Sequence, residues 1–412
     1  MSKLVTTIGP IPGFKVAGVS CGIRKSGRPD LALIVGDGPC AAAGVFTTNR
    51  VKAAPVLLDQ ERLARNAGRV RAVVANSGVA NACTGEQGMQ DAEAMARHAA
   101  DALGCPPQDV LVMSTGVIGV TLPMDRIAQG VRHAAAALRP DAWEDAARAI
   151  MTTDTRPKLA SLRVETPAGA YTIAGIAKGA GMIAPHMATM LAVLVTDAAL
   201  EPPTLRRALQ AANAVSFNQI VVDGDMSTND TVLALASGRS GVRVAEGAGL
   251  EAFQAALAEV CAALARMLVR DGEGATRFIT LRVTGAPDAQ SARQVAMAIA
   301  TSPLVKTAFY GGDANWGRIL AAAGRAGVPL DADKLRLWFA PGEDGTDSGV
   351  QVVAGGAPTA YREEEAAAAL AGEAVSVRLD LGLGQAESTV ERKSVVSGKS
   401  VSRRVDNGGL GM

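Results

Sequence analysis

Thr189 opens a run of apolar residues inside "GMIAPHMATMLAVLVTD", within the longest stretch of the chain free of Asp, Glu, Lys and Arg: eighteen residues, Gly179 to Thr196. A threonine hydroxyl is a weak nucleophile and needs a base beside it. No His–Asp pair is evident, and Cys83 has no obvious partner. One route to activation needs no second residue. If the Ala188–Thr189 peptide bond breaks, Thr189 gains a free α-amine whose pKa is about 7.7–8.0, so part of it is neutral near neutral pH. That amine can then serve as general base for the hydroxyl of the same residue. The plainer reading is that a threonine opening a buried strand is simply a good β-former.

Four polar islands lie in apolar or glycine-rich surroundings. "MSTGVIG" (Met113 to Gly119) follows the strand-like "VLVM", where exposed backbone N–H groups can hold an oxyanion; the same composition also makes ordinary turns. "MTTDTRPK" (Met151 to Lys158) ends a helical pattern and reads as a turn or cap before proline. "DGDMSTNDT" (Asp223 to Thr231) is calcium-loop-like only at first sight. Its sixth position is Thr228, where glycine is needed, and its twelfth is Ala234, where glutamate is needed, so a structural turn is expected. "RDGEGATRF" (Arg270 to Phe278) sets Glu273 between two glycines, where a carboxylate can meet a ligand ammonium group or simply face solvent. His186 lies three residues before Thr189 and would fall on the other chain after cleavage, so no catalytic role is assigned to it.

Bulk properties narrow the function classes. Of 412 residues, 41 are Lys or Arg and 40 are Asp or Glu, a net charge of +1 that suggests neither a nucleic acid nor an anionic membrane as partner. Aromatics are only 3%, too few for a base-stacking platform. Five cysteines at wide spacings form no CxxC pair, and three histidines, two in alanine-rich helical patterns, argue against a zinc site. The first residues, "MSKLVTTIGPIPGF", hold no apolar core of signal-peptide length, so the cytoplasm is the expected compartment. Eighteen uncharged residues reach the lower edge of a membrane span, but Pro185, His186 and Thr189 interrupt them.

The elements that must position these islands alternate in period. Helical spacing marks Asp91 to Gly104, Met124 to Pro140, Leu250 to Gly274, and the shorter "WGRILAAAGRAG" and "REEEAAAALAG". Strand-like runs include "LALIV", "RAVVAN", "VLVMS", "MLAVLV", "RFITLRV", "LRLWF" and "VSVRLDL", and "ASLRVETPAGAYTIAGIAKG" reads as a hairpin. Hairpins mixed with long helices predict an α+β fold or a layered sandwich. Residues 391–412, with five basic and two acidic residues, many Ser and Gly and no period, read as a disordered tail.

"KGAGMIAPHMATML" closely resembles the autoprocessing motif of the ornithine acetyltransferase family, the bifunctional glutamate N-acetyltransferases of arginine biosynthesis. "NSGVANACTGEQG", "MSTGVIG", "TTDTRPK", "GDMSTNDT", "DGEGATRF", "SPLVKTA" and "NWGRI" extend the resemblance over roughly residues 8 to 389. Val79 departs from it, standing where the family has Asn. The resemblance implies an αββα-type sandwich and cleavage between Ala188 and Thr189. Residues 1–188 become an α chain and 189–390 a β chain, paired as α2β2. Thr189 is then the nucleophile that takes acetyl from N2-acetyl-L-ornithine and passes it to L-glutamate. Thr115 and Gly116 match the oxyanion pair, while Lys178, Glu273 and one of Thr152 and Thr153 match substrate-binding positions. No metal or cofactor is implied, and acetyl-CoA stays open as a second acetyl donor. Beyond Thr389 the chain leaves the family pattern, so Asn407 receives no role. An amidohydrolase using the same Thr189, or an unprocessed and inactive relative, are the other readings.

Overall fold

The computed structural model describes residues 3–183, 190–244, 246–343 and 349–393, and it divides into two compact units. The first comprises Met1–Asn218 and Asp225–Leu268; the second comprises Gln219–Gly224 and Val269–Met412.

The first unit carries β1 (Phe14–Val19), β2 (Leu31–Phe46), β3 (Arg69–Val79), β4 (Val110–Val117), β5 (Lys158–Thr166), β6 (Gly169–Lys178), β7 (Leu191–Thr196) and β8 (Thr231–Ala236). They pair in the order β4-β3-β2-β8-β7-β6-β5, with β1 also on β2. The hairpin expected around "TPAG" is β5–β6. The long strand β2 organises the unit by changing partners. Leu31–Val35 pair with β3, the register slips between Val35 and Cys40, Cys40 and Ala41 pair with β3 again, and Ala41–Phe46 pair with β8. Such an irregularity bends a strand and raises its twist. The bend is tight: a Cβ on Gly36 would lie 2.4 Å from the Cys40 sulfur.

The two halves of the sheet face each other. Ile34, Val73 and Met113 from one half share a core with Ile176, Val193 and Leu233 from the other. Alternate side chains of a strand point to opposite faces. Accordingly Leu33, Val74 and Val112 turn outward, against Leu58 of α1 (Ala54–Arg65), Met95 of α2 (Gly85–Leu103) and Ile127 of α3 (Met124–Ala136). The short α4 (Trp143–Ala149) adds Trp143 and Ala146 to the inner core. On the far side, Ile173, Leu194 and Ala234 meet Leu205 of α5 (Pro202–Ala214) and Phe253 and Leu257 of α6 (Ala248–Arg270). The order of layers is helix, sheet, sheet, helix, as the αββα expectation required. By length and composition α6 could cross a membrane. Its Phe253, Leu257, Val260, Leu264 and Leu268 recur at three- and four-residue steps and are buried, with Phe253 stacked 5.8 Å from Tyr171 of β6.

The second unit has one sheet. Its strands β9 (Phe278–Ala286), β10 (Arg336–Pro341), β11 (Val350–Ala354), β12 (Ala374–Asp380) and β13 (Ala386–Lys393) are joined by Ile220–Val221 and Ala357–Pro358. The order runs Ala357–Pro358, β11, β10, β12, β9, β13, Ile220–Val221. One face (Ile279, Leu281, Val283, Val375, Val377, Leu379) packs on α7 (Ala289–Ala300), α8 (Pro303–Gly311), α9 (Trp316–Gly324) and α10 (Glu363–Ala369). The sandwich therefore belongs to the first unit, and the second is a two-layer α/β body. The tail boundary drawn from composition is also corrected. β13 runs to Lys393, pairing Glu391 with Thr280 and Arg392 with Ile279. Arg392 is buried, and burial pushes its guanidinium down to about 9. Composition cannot see this, because the pairing partner lies a hundred residues away in sequence. Residues 394–412 lie outside the described residues.

If the shared core holds the two half-sheets together, Ile34→Ala, at a fully buried site, is expected to cost about 2–5 kcal/mol. Leu57→Ala, on an exposed face of α1, should stay within about 0.5 kcal/mol. Urea unfolding midpoints at constant slope provide the comparison.

Candidate active site

β4 climbs out of the core through the buried residues Val110–Met113 and ends in Ser114, Thr115 and Gly116. Gly116 has φ +138°, and a Cβ there would lie 2.2 Å from the carbonyl carbon of Gly78 on β3. Only glycine allows that approach. The β3–β4 ladder slips at Gly78 and Val79, beside this glycine. Ser114 Oγ donates to Asn76 Oδ1 at 2.6 Å, which fixes the strand end.

β6 ends on Lys178, which is buried, and its Nζ donates to Thr115 Oγ1 at 3.1 Å. The turn that begins "MTTDTRPK" meets the same place through Asp154. One oxygen of Asp154 accepts from Lys158 Nζ at 2.6 Å and from the Gly179 amide at 2.7 Å; the other accepts from the Thr152 amide at 3.0 Å. Asp154 and Lys158 are both wholly buried at their side chains. Burial alone would raise the Asp154 carboxyl, but the charges of Lys178 and Lys158 and the Gly179 amide hydrogen bond outweigh it and hold the carboxyl below its ordinary value. Arg24 adds a brace, donating to the Met151 carbonyl at 2.8 Å and the Thr152 carbonyl at 3.2 Å. Thr152 and Thr153 sit half-buried on this braced turn.

The loop "DGDMSTNDT" is not a solvated turn. Ser227, Thr228, Asn229 and Asp230 are all buried. Asn229 Nδ2 donates to the Ala80 carbonyl at 2.6 Å and the Ser114 carbonyl at 2.8 Å. Asp230 Oδ1 accepts from the Met190 amide at 3.0 Å, and the Thr231 amide donates to the Met190 carbonyl at 3.1 Å.

The structure thus gathers Thr115, Gly116, Lys178 and the Thr152–Thr153 turn into one neighbourhood of the first unit. Glu273 belongs to the second unit, half-buried in the Gly272–Ala275 turn that follows α6, where the Ala275 amide donates to the Gly272 carbonyl at 2.9 Å. Residues 184–189, which include His186, Ala188 and Thr189, lie outside the described residues. Asp154, Lys158, Asn229 and Asp230 were not anticipated as individual residues. The available signal was faint: opposite charges four residues apart in "DTRPK", and polar residues running straight into the apolar "TVLALA". Chemically, the cluster offers a buried cation beside a hydroxyl at a strand end. That arrangement stabilises negative charge on an oxygen in a dry setting.

A sequence profile of the ArgJ family matches residues 15–393. The arginine biosynthesis bifunctional protein ArgJ of Symbiobacterium thermophilum is 51% identical over 381 residues, covering 92% of each chain. Its counterpart in Geobacter sulfurreducens is 50% identical over 384 residues, covering 92% of this chain and 95% of the other. Among solved structures, an ornithine acetyltransferase from Mycobacterium tuberculosis complexed with ornithine is 46% identical, covering 45% of this chain and 98% of that one, with a TM-score of 0.42.

Removing Asp154 breaks a wholly buried ion pair with Lys158 and takes a counter-charge from Lys178, so Asp154→Ala is expected to cost about 3–5 kcal/mol. Because its carboxyl is held low in the folded state, the charged form stabilises the fold at neutral pH. That contribution is lost as pH falls below about 4 and through the folded-state value. The stability gap between wild type and Asp154→Asn, measured by urea unfolding across pH, should therefore narrow in acid. A gap independent of pH would contradict the charge assignment.

Proposed function

The chain belongs to the ArgJ family, and from that premise we propose that it is a glutamate N-acetyltransferase of arginine biosynthesis that works through an acetyl-threonine. The observation that carries the reading is the buried Lys178–Thr115 contact at the mouth of β4, built from two segments that the family resemblance had singled out separately.

In this scheme the chain cleaves itself between Ala188 and Thr189, and the α chain (1–188) and β chain (189–390) stay together as α2β2. The boundary between chains is a chemical one and falls within the first folding unit. The freed α-amine of Thr189 takes the proton of its own hydroxyl as the oxygen attacks the acetyl carbonyl of N2-acetyl-L-ornithine. Thr115 and Gly116 hold the resulting oxyanion, a contribution of about 3 kcal/mol for a well-placed donor. Collapse expels the ornithine α-amine, which takes the proton back, and leaves an acetyl ester on Thr189. The neutral α-amine of L-glutamate then attacks that ester and gives a proton to the Thr189 α-amine; the ester C–O bond breaks, the Thr189 oxygen takes that proton back, and N-acetylglutamate departs.

Donor and acceptor are both amino acids with an α-carboxylate, so one pocket serves each in turn. Lys178 receives the carboxylate and Thr152 or Thr153 completes the contact; for the cationic side chain of ornithine the family resemblance names Glu273. Beyond Thr389 the chain leaves the family pattern, and the scheme assigns the tail no role. The same ester chemistry would accommodate acetyl-CoA, which stays open as a second donor, and the cytoplasm is the expected place of action.

Denaturing mass spectrometry of the purified protein should find two fragments, one with Thr189 at its N-terminus. Acetyl transfer from N-acetylornithine to glutamate should follow ping-pong kinetics. Thr189→Ala should abolish both cleavage and transfer. A persistent intact chain, or full transfer by Thr189→Ala, would refute the reading; ornithine release that ignores glutamate would assign a hydrolase instead.

A further inference from the structure

Two consecutive side chains, Asn229 and Asp230, connect strands that the reaction must keep in register, and the scheme above gives neither a task. Asn229 Nδ2 donates to the carbonyl of Ser114, the residue before Thr115, and to that of Ala80 at the end of β3. Asp230 Oδ1 accepts from the amide of Met190, the residue bonded to Thr189 and leading into β7. The next residue, Thr231, donates its amide to the Met190 carbonyl and its hydroxyl to the Asn229 carbonyl at 2.9 Å. Met190 is thereby held at both backbone groups, and the loop that holds it also holds the base of the oxyanion strand. We propose that Asn229 and Asp230 are positioning residues that set the spacing between Thr115–Gly116 and the peptide that follows the nucleophile.

A carboxylate is a costly choice for mere packing. Asp230 is fully buried, and its Oδ2 has no hydrogen-bond partner among the described residues. Burial pushes its carboxyl well above the ordinary range, against the Met190 amide and the charge of Lys178, which favour the ionised form. An apolar residue of similar volume at such a site is often neutral or stabilising. It would leave the Met190 amide unheld, and a displacement of about 1 Å at a reacting centre is worth on the order of a hundredfold in rate.

This inference rests on the Thr189 reading, and the test separates the two. Full-length wild type, Asp230→Asn and Asp230→Val are compared for cleavage, kcat and KM, with thermal unfolding as the check on folding. Asn keeps an acceptor at the same position, whereas Val keeps the volume and loses it. Asp230→Val is expected to cleave more slowly and to lose about tenfold to a hundredfold in kcat, the range for leaving a buried amide donor unsatisfied, with KM unchanged. Asp230→Asn should stay close to wild type. Normal kcat in Asp230→Val, or equal loss in both variants, would overturn the inference while leaving Thr189 as nucleophile. An intact, inactive wild-type chain would instead overturn the reading beneath it. If Asp230→Val fails to fold, Asn229→Asp tests the other arm: it is isosteric but presents an acceptor to two carbonyls. It should lower kcat to a similar degree at unchanged KM, and normal kcat there would likewise overturn the inference.

Discussion

The carboxylate of Asp154 is the contact on which the site depends. Lys158 and Lys178 are both buried, and an ammonium group removed from water carries a large desolvation cost unless an opposite charge compensates it. Asp154 supplies that charge to both, and its oxygens also hold the amides of Thr152 and Gly179. Without it, the turn bearing Thr152 and Thr153 would lose its side-chain tie to the Gly179 amide and keep only the β5–β6 ladder that begins at Lys158 and Ala177, and Lys178 would lose a source of electrostatic attraction. The arrangement is high in stakes for the same reason that it is effective. A low local dielectric strengthens every satisfied contact and penalises every broken one.

The second constraint is mechanical. β4 and β6 do not neighbour each other in the sheet: β3, β2, β8 and β7 lie between them. Their ends meet because β2 lies between the two half-sheets, pairing along one edge with β3 on both sides of its bend and along the other edge with β8 beyond it, so the sheet folds onto itself around one core. Thr115 and Lys178 come from opposite layers, at the open edge of that fold. The Ser227–Asp230 loop closes the same edge with hydrogen bonds to both β4 and the residue leading β7. Buried polar groups cluster here because strand ends meeting in the interior leave backbone donors and acceptors that side chains must satisfy.

Much of this was legible in the chain. Helical and strand periods located most elements, since repeats of two and near four depend only on neighbouring residues. "MSTGVIG" was legible as the end of a strand with exposed backbone N–H groups, whereas the close approach of Gly116 to Gly78 depends on the β3–β4 pairing and was not. Other features were hidden for identifiable reasons. "DGDMSTNDT" has the composition of a surface turn, yet its last residues are buried because Ala80, Ser114 and Met190, all distant in sequence, supply their partners. The strand through Arg392 was hidden likewise, its polar composition outweighed by pairing with β9.

The amino-acid sequence by itself determined the residue types able to do chemistry, the alternation of elements and, through a long series of ordered motifs, membership of a family. Those properties are local or additive along the chain. Tertiary structure alone decided which islands share a site. It placed Lys178 on Thr115, made Asp154 the common partner of two lysines, and turned Asn229 and Asp230 into links between strands. Each of these depends on where a folded sheet brings together residues tens of positions apart, and on burial that makes a charge or a hydrogen bond strong enough to matter.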